Sequence, residues 1–152
     1  MLSPRDIVYI GLRATDPVEY DITEELGIPV FSMHDVDQLG ISSVIERAIE
    51  LVNPKLNKPI HVSFDVDVLD LDVCPGTGTP INAGFTLREA LYIGETINKT
   101  GLLAGLDIVE VNPNLCTNQR DWEITMDTSF QITKAFLGWH RPGYAAAIKP
   151  RI

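Results

Sequence analysis

This sequence predicts an α/β fold in three layers, with helices on both faces of a parallel sheet. Three observations carry that expectation. Apolar, β-branched runs of strand length alternate with segments whose apolar residues recur at helical spacing, a pattern that implies parallel strands joined by right-handed crossovers. One of these runs, Ile60, Val62, Phe64 and Val66, closes on two carboxylates, Asp65 and Asp67. Soon after comes Pro75-Gly76-Thr77-Gly78-Thr79-Pro80, a loop composition at the strand's carboxyl end, where open parallel sheets receive their ligands.

Taken in order, Asp6 to Leu12 reads as the first strand. Asp16, with Pro17 at the first helical position and Glu19 after it, reads as a helix start whose side chains satisfy free N–H groups, and Gly27 suits the C-cap of that short helix. Ile28 to Met33 is a second strand. A helix from Asp35 to Val52 follows, with Val36, Leu39, Val44, Ile45, Ala48, Ile49 and Val52 forming one apolar stripe. Asn53-Pro54 and Lys58-Pro59 bracket the turn into the central strand. Thr86-Leu87-Arg88-Glu89 is a capping box that opens a helix to Lys99, and Gly101 separates it from a fourth strand over Leu102 to Val111. The last helix is expected over Arg120 to Leu137, with Trp122, Met126, Phe130 and Thr133 as its core stripe and Ile132 and Phe136 beside them. The tail from Gly138 to Ile152 reads as irregular, an arm for oligomer contacts.

The 152 residues fit a single domain, since a chain of this size buries roughly 70% of its unfolded surface. A hydrophobic content of 45% and a mean hydropathy of +0.07 are those of a globular chain rather than a disordered one. The net charge of −9 argues against nucleic acid or an anionic membrane as the main partner and suits a cation, although acidity of this size is also ordinary. Cys74 and Cys116 lack CxxC or zinc-like spacing and read as free thiols in a reducing compartment, the cytoplasm. No apolar run approaches membrane-spanning length, and the first residues do not resemble a signal peptide.

Asp65 and Asp67 are two apart on a strand and so project to one face, where two close carboxylates favour a cation or a shared proton between them. A metal site on oxygen ligands is one reading of this; a strand end entering a solvated turn is the other. Glu110, at the carboxyl end of the fourth strand before Asn112-Pro113, invites a cationic ligand if buried and is a solvent-facing strand end otherwise. Of the three histidines, His61 lies four residues before Asp65 at the far end of the strand, His34 at a strand's carboxyl end suits either a cleft or, more often for a lone histidine, a cap or the surface, and none is assigned as a ligand.

At these residues the sequence resembles the arginases, manganese-dependent ureohydrolases. Ser63-Phe64-Asp65-Val66-Asp67, then Pro75 to Pro80 and Gly84, look like the family's third signature, and Lys99-Thr100-Gly101-Leu102-Leu103 with Gly105 to Pro113 favours arginase over agmatinase, formiminoglutamase or a deacetylase of the same broad fold. The resemblance covers essentially the whole chain but only the carboxyl-terminal half of the family, so the expected fold is an incomplete arginase/deacetylase-like one. It implies hydrolysis of L-arginine to L-ornithine and urea, with Asp65 bridging two Mn²⁺ ions, Asp67 binding one, and the metal pair generating hydroxide. It also implies that Glu110 holds the guanidinium, that Thr79 lies near it, and that Asp16 and Glu19 recognise the substrate's α-amino end as well as capping their helix.

Departures from the pattern are Ala14 where a further Asp is usual, Val68 where a small residue is usual, and Leu71 where the signature has Pro. The family's other metal ligands, two His and two Asp including an Asp-x-His-x-Asp motif, have no counterpart in these residues, nor does its proton-transfer His. Affinity depends on ligand count, so the lone chain is expected to be inactive, its partner being either a missing amino-terminal half or further copies of itself. The competing expectation is a non-catalytic, arginase-like remnant acting as a binding or regulatory subunit. Four parallel strands are expected to form one sheet with an open, apolar edge.

Overall fold

The computed structural model describes residues 2–142, so the outer part of the expected oligomer arm, from residue 143 on, lies outside the described residues. Four strands alternate with four helices: β1 (Tyr9–Leu12), α1 (Pro17–Leu26), β2 (Val30–Ser32), α2 (Met33–Val52), β3 (Ile60–Asp65), α3 (Leu87–Lys99), β4 (Leu103–Val109) and α4 (Gln119–Phe136). The α/β class and the parallel pairing follow the sequence pattern. The sheet is a correction: β1 pairs with β2 and β3 with β4, both parallel, as two separate two-stranded sheets in place of one four-stranded sheet.

The physical reason lies in what joins β1 to β3. Among the described residues no backbone ladder links them. Instead the Arg13 side chain, just past β1, bonds to carbonyl oxygens beyond β3, and the backbone of Gly11 packs against Val68. Gly11 has a φ of +88°, and a Cβ there would lie 2.5 Å from Val68 Cγ2. The bulky residue at position 68 is therefore accommodated by the absence of a side chain at position 11.

Helix starts are legible because they are local. Asp16 and Glu19 form a capping box at α1, as do Ser32 with Asp35 at α2 and Thr86 with Glu89 at α3. Gly27 closes α1 in the left-handed conformation. Helix α2 differs from the unbroken helix expected: Gly40, with φ 76° and ψ 149°, interrupts it, a backbone conformation that breaks the i to i−4 ladder.

The core lies among α2, β3, α3 and α4. Val44, Ile45 and Ala48 on α2 are buried, as are Ile60 and Phe64 on β3, Leu91, Ile93 and Ile97 on α3, and Ile132, Ala135 and Phe136 on α4. The Phe64 and Phe136 rings meet edge-on at 5.8 Å. A second correction concerns α4, whose buried face is Thr125, Thr128, Ser129, Ile132, Ala135 and Phe136, whereas Trp122, Met126 and Phe130 are exposed. Small polar residues occupy the inner face because their hydroxyls have backbone partners: Ser129 Oγ donates to Thr125 O, Thr128 Oγ1 donates to Val73 O, and Thr125 Oγ1 accepts from Gly76 N. Among the described residues no helix is long and apolar enough to cross a membrane.

Candidate metal and substrate site

Strand β3 ends at Asp65, and the chain turns at once into a single 3-10 turn, Val66–Val68. Val66 is fully buried, which pins the turn to the core, while Asp65 Oδ1 accepts a hydrogen bond from Asp67 N at 3.0 Å. The two carboxylates are thus neighbours, but not through strand alternation as the sequence suggested. Asp67 lies beyond the strand, and a turn capped by Asp65 brings it alongside. Burial pushes the Asp67 carboxyl above its ordinary range, the adjacent Asp65 pushes it further, Arg13 opposes, and Glu110 adds to the rise. This is the electrostatics of an acidic cluster with too little positive charge.

Glu110 joins that cluster through the register of the second sheet. Asp65 pairs with Val109, so the residue after β4 lies level with the end of β3. Glu110 is exposed, in agreement with the solvent-facing alternative, and its backbone is left-handed at φ 61°. A glutamate pays for that conformation, and such strain gathers where a side chain must be aimed. Its Oε2 faces Gly78, where an added Cβ would lie 3.3 Å away.

The loop that carries Gly78 is closed at its base. Leu69 bridges to Phe85, Asp70 N donates to Phe85 O at 3.0 Å, Phe85 N donates to Val68 O at 2.9 Å, and the Asp70 carboxylate accepts from Ala83 N and Gly84 N. Asn112 N donates to Gly76 O at 2.8 Å and ties the loop to the chain after Glu110. Leu71 and Val68 therefore leave a regular loop base. Thr79 is exposed at the tip, one residue from Gly78, and Thr77 is buried with no hydrogen-bond partner for its hydroxyl.

Asp16 and Glu19 stand apart from this cluster. Asp16 Oδ1 accepts from Val18 N at 2.8 Å and Glu19 Oε2 accepts from Asp16 N at 3.3 Å, so both act as caps, exposed at the start of α1. Among the described residues neither bonds to Asp65, Asp67 or Glu110. His61 pairs with Asp107 at 3.1 Å on the sheet surface. Cys74 is buried with its thiol pushed up to about 11 by burial, and is thus an inert packing residue.

As donors, Asp65 and Asp67 offer hard oxygen ligands in an acidic cluster short of positive charge, chemistry that fits Mn²⁺. They fit it as part of a shell, since among the described residues no three His, Cys, Asp or Glu side chains are grouped to hold an ion. The residue that sequence reasoning passed over is Arg13. Its signal was a single cation directly after a strand, in a chain of net charge −9, at the level where the acids collect.

Parallel α/β architecture with carboxylates gathered at the strands' carboxyl ends defines a class of strand-end, acid-based sites. Comparison with known proteins makes the class specific: the sequence model described as the Arginase family matches residues 1–138, and the chain belongs to the arginase family. It is 51% identical over 142 residues to arginase-1 of Bos taurus, covering 93% of this chain and 44% of that protein. The arginase structure from Bacillus caldovelox superposes with a TM-score of 0.82 at 31% identity, covering 91% of this chain and 45% of that one. Entamoeba histolytica arginase, solved in complex with L-ornithine, gives 0.81 at 32% identity, with 91% and 45% covered. The chain thus spans less than half the length of these relatives.

Proposed function

We propose that this chain contributes the acidic, guanidinium-binding side of a Mn²⁺-dependent site that hydrolyses L-arginine to L-ornithine and urea. The observation that carries the reading is the convergence of Asp65, Asp67 and Glu110 at the carboxyl ends of two paired strands. Asp65 and Asp67 would hold the ions. What a bound Mn²⁺ pair supplies is positive charge that makes water acidic enough to attack near neutral pH. Glu110 accepts N–H bonds from the guanidinium through charge-assisted contacts, and its aim at Gly78 leaves the planar group room to approach. Thr79 walls the same side. Asp16 and Glu19 receive the α-amino end, and Ala14 weakens that end of the site.

The remaining donors come from an amino-terminal half, and further copies of this chain are the other partner the reading allows. We place the protein in the cytoplasm, a reading supported by two free thiols among the described residues.

The purified chain is expected to form no ornithine even with excess Mn²⁺. Manganese-dependent ornithine production that Asp65→Ala abolishes would overturn this. Co-expression with a polypeptide carrying the two His and two Asp ligands is expected to restore turnover. In that complex Glu110→Gln should cost roughly tenfold to hundredfold in arginine use, the range for losing a charged hydrogen-bond partner. Full turnover by Glu110→Gln would remove the guanidinium assignment. A second reading, a non-catalytic binding or regulatory subunit, is favoured by Ala14, which stands where the resemblance expects a further Asp, and restored turnover would exclude it.

A further inference from the structure

We propose that Arg13 is the positioning residue for the Asp65–Asp67 pair, acting through the backbone and not as an ion-pair partner. Its guanidinium meets five carbonyl oxygens. Nη2 donates to Asp67 O at 2.7 Å, to Ile81 O at 2.6 Å and to Leu69 O at 3.3 Å; Nη1 donates to Val68 O at 3.4 Å; Nε donates to Asn82 O at 3.1 Å. A guanidinium has five N–H donors in a fixed plane; Nη2 shares its two N–H groups among three oxygens, Nε uses its one and Nη1 one of its two, so all the named partners are backbone carbonyls and none is a carboxylate. Asp67, Val68 and Leu69 carry the last carbonyls of the one-turn helix after Asp65 and its C-cap, groups that a helix end leaves without intrahelical partners and that favour a cation.

One rigid fork therefore holds both ends of the 70–85 loop. On one side are the carbonyls of the turn that presents Asp67; on the other are Ile81 and Asn82, just before the chain returns to Phe85. The fork is anchored in turn by β1, whose Gly11 lies against Val68 and Phe85. Loss of the fork frees the turn to rotate about Asp65, and the relative aim of the two carboxylates is lost with it. Groups that orient ligands in this way typically cost 10- to 100-fold in metal affinity when removed.

Electrostatics and positioning predict opposite outcomes here. Arg13 is a positive charge beside a cation site, so as a bare charge its removal should tighten divalent-ion binding. As a positioning residue, its removal should weaken binding. Lysine separates the two further, because it keeps the charge but has neither the plane nor the five donors.

The inference rests on the Mn²⁺ reading for its consequence and on the hydrogen bonds alone for its mechanism, and the experiment reads the two separately. Mn²⁺ is titrated into the 152-residue chain and into its Arg13→Lys and Arg13→Gln variants, with paramagnetic broadening of the Asp65–Val68 amides reporting affinity. Amide exchange at Asp67, Ala83 and Gly84 reports the turn and the loop base, and the denaturation midpoint reports global stability. Both variants are expected to weaken Mn²⁺ binding on the order of tenfold, with faster exchange confined to those amides. Tighter binding by Arg13→Gln, or binding and exchange by Arg13→Lys equal to the original chain, would overturn the proposal. Should the unaltered chain bind no Mn²⁺ near Asp65, the metal reading of the isolated chain fails. The exchange arm then decides on its own: unchanged protection in Arg13→Lys overturns the positioning role, and local loss sustains it. A variant that unfolds globally is replaced by Arg13→Met with Ile81 and Asn82 intact, read by the same exchange criterion.

Discussion

Glu110 combines two properties that stability alone would not select, a left-handed backbone at a non-glycine residue and a carboxylate whose charge is felt by Asp67. Both follow from its place one residue beyond β4. The glycine facing it is the most direct means of testing that placement. A Cβ at Gly78 would lie 3.3 Å from Glu110 Oε2, too close without a small retreat of the carboxylate, yet Gly78 has no positive φ to be strained by substitution. Gly78→Ala should therefore leave the thermal midpoint of the chain within about 2 °C, a shift of under about 0.5 kcal/mol, while raising the KM for arginine in the reconstituted complex. An unchanged KM would show that Glu110 does not use that side of the loop. The presence of Glu110 and of the Asp-x-Asp pair was legible in the sequence, because acids inside apolar runs are conspicuous. The manner in which Asp67 reaches Asp65 was not. Strand alternation and an Asp-capped turn give the same two-residue spacing, and only the point where β3 stops distinguishes them.

Elements start where short-range chemistry says they should and face where long-range packing says they must. The capping boxes at Asp16, Ser32 and Thr86 were readable from neighbouring residues alone. The inward face of α4 was not: hydrophobicity pointed to Trp122, Met126 and Phe130, whereas the helix buries Thr125, Thr128 and Ser129, whose hydroxyls bond to backbone groups. At the end of α4 the chain is latched to α3 by Glu95, which accepts from Arg141 N at 2.9 Å and from its guanidinium at 2.8 and 3.1 Å. The Arg141 side chain holds the Glu95 carboxyl below its ordinary 4.5, against the opposing effect of burial. The unfolded chain therefore takes up the proton at higher pH than the folded one. The latch contributes fully above pH 4.5 and is lost as pH falls through the depressed value. Glu95→Gln should cost about 1–3 kcal/mol near neutral pH, the range for a hydrogen bond to a charged group, and the difference between the two proteins should close in acid. A constant difference down to pH 2 would mean that packing, not charge, is what Glu95 provides.

At the scale of the molecule, parallel pairing was predictable from alternating strands and helices, but the division into two sheets was not. Which strand lies beside which is decided by contacts far apart in sequence, and β1 and β3 meet through Arg13 and Val68 rather than a ladder. Strand edges without ladder partners invite association. The large exposed apolar residues on α1 and α4, among them Val18, Ile22, Leu26, Trp122 and Phe130, add to that tendency. The purified chain is expected to self-associate and to bind a hydrophobic dye; light scattering that shows only monomer, with no dye bound, would refute this. The closed base of the 70–85 loop has a different consequence. Its neck is held by the Leu69–Phe85 bridge, by Asp70 and by Arg13, while Gly78, Thr79 and Pro80 stand exposed at the tip. A protease that cut only the tip would leave two pieces clasped at the neck, melting as one body yet no longer able to present a wall to Glu110. The fold and the proposed guanidinium site would then part at a single peptide bond.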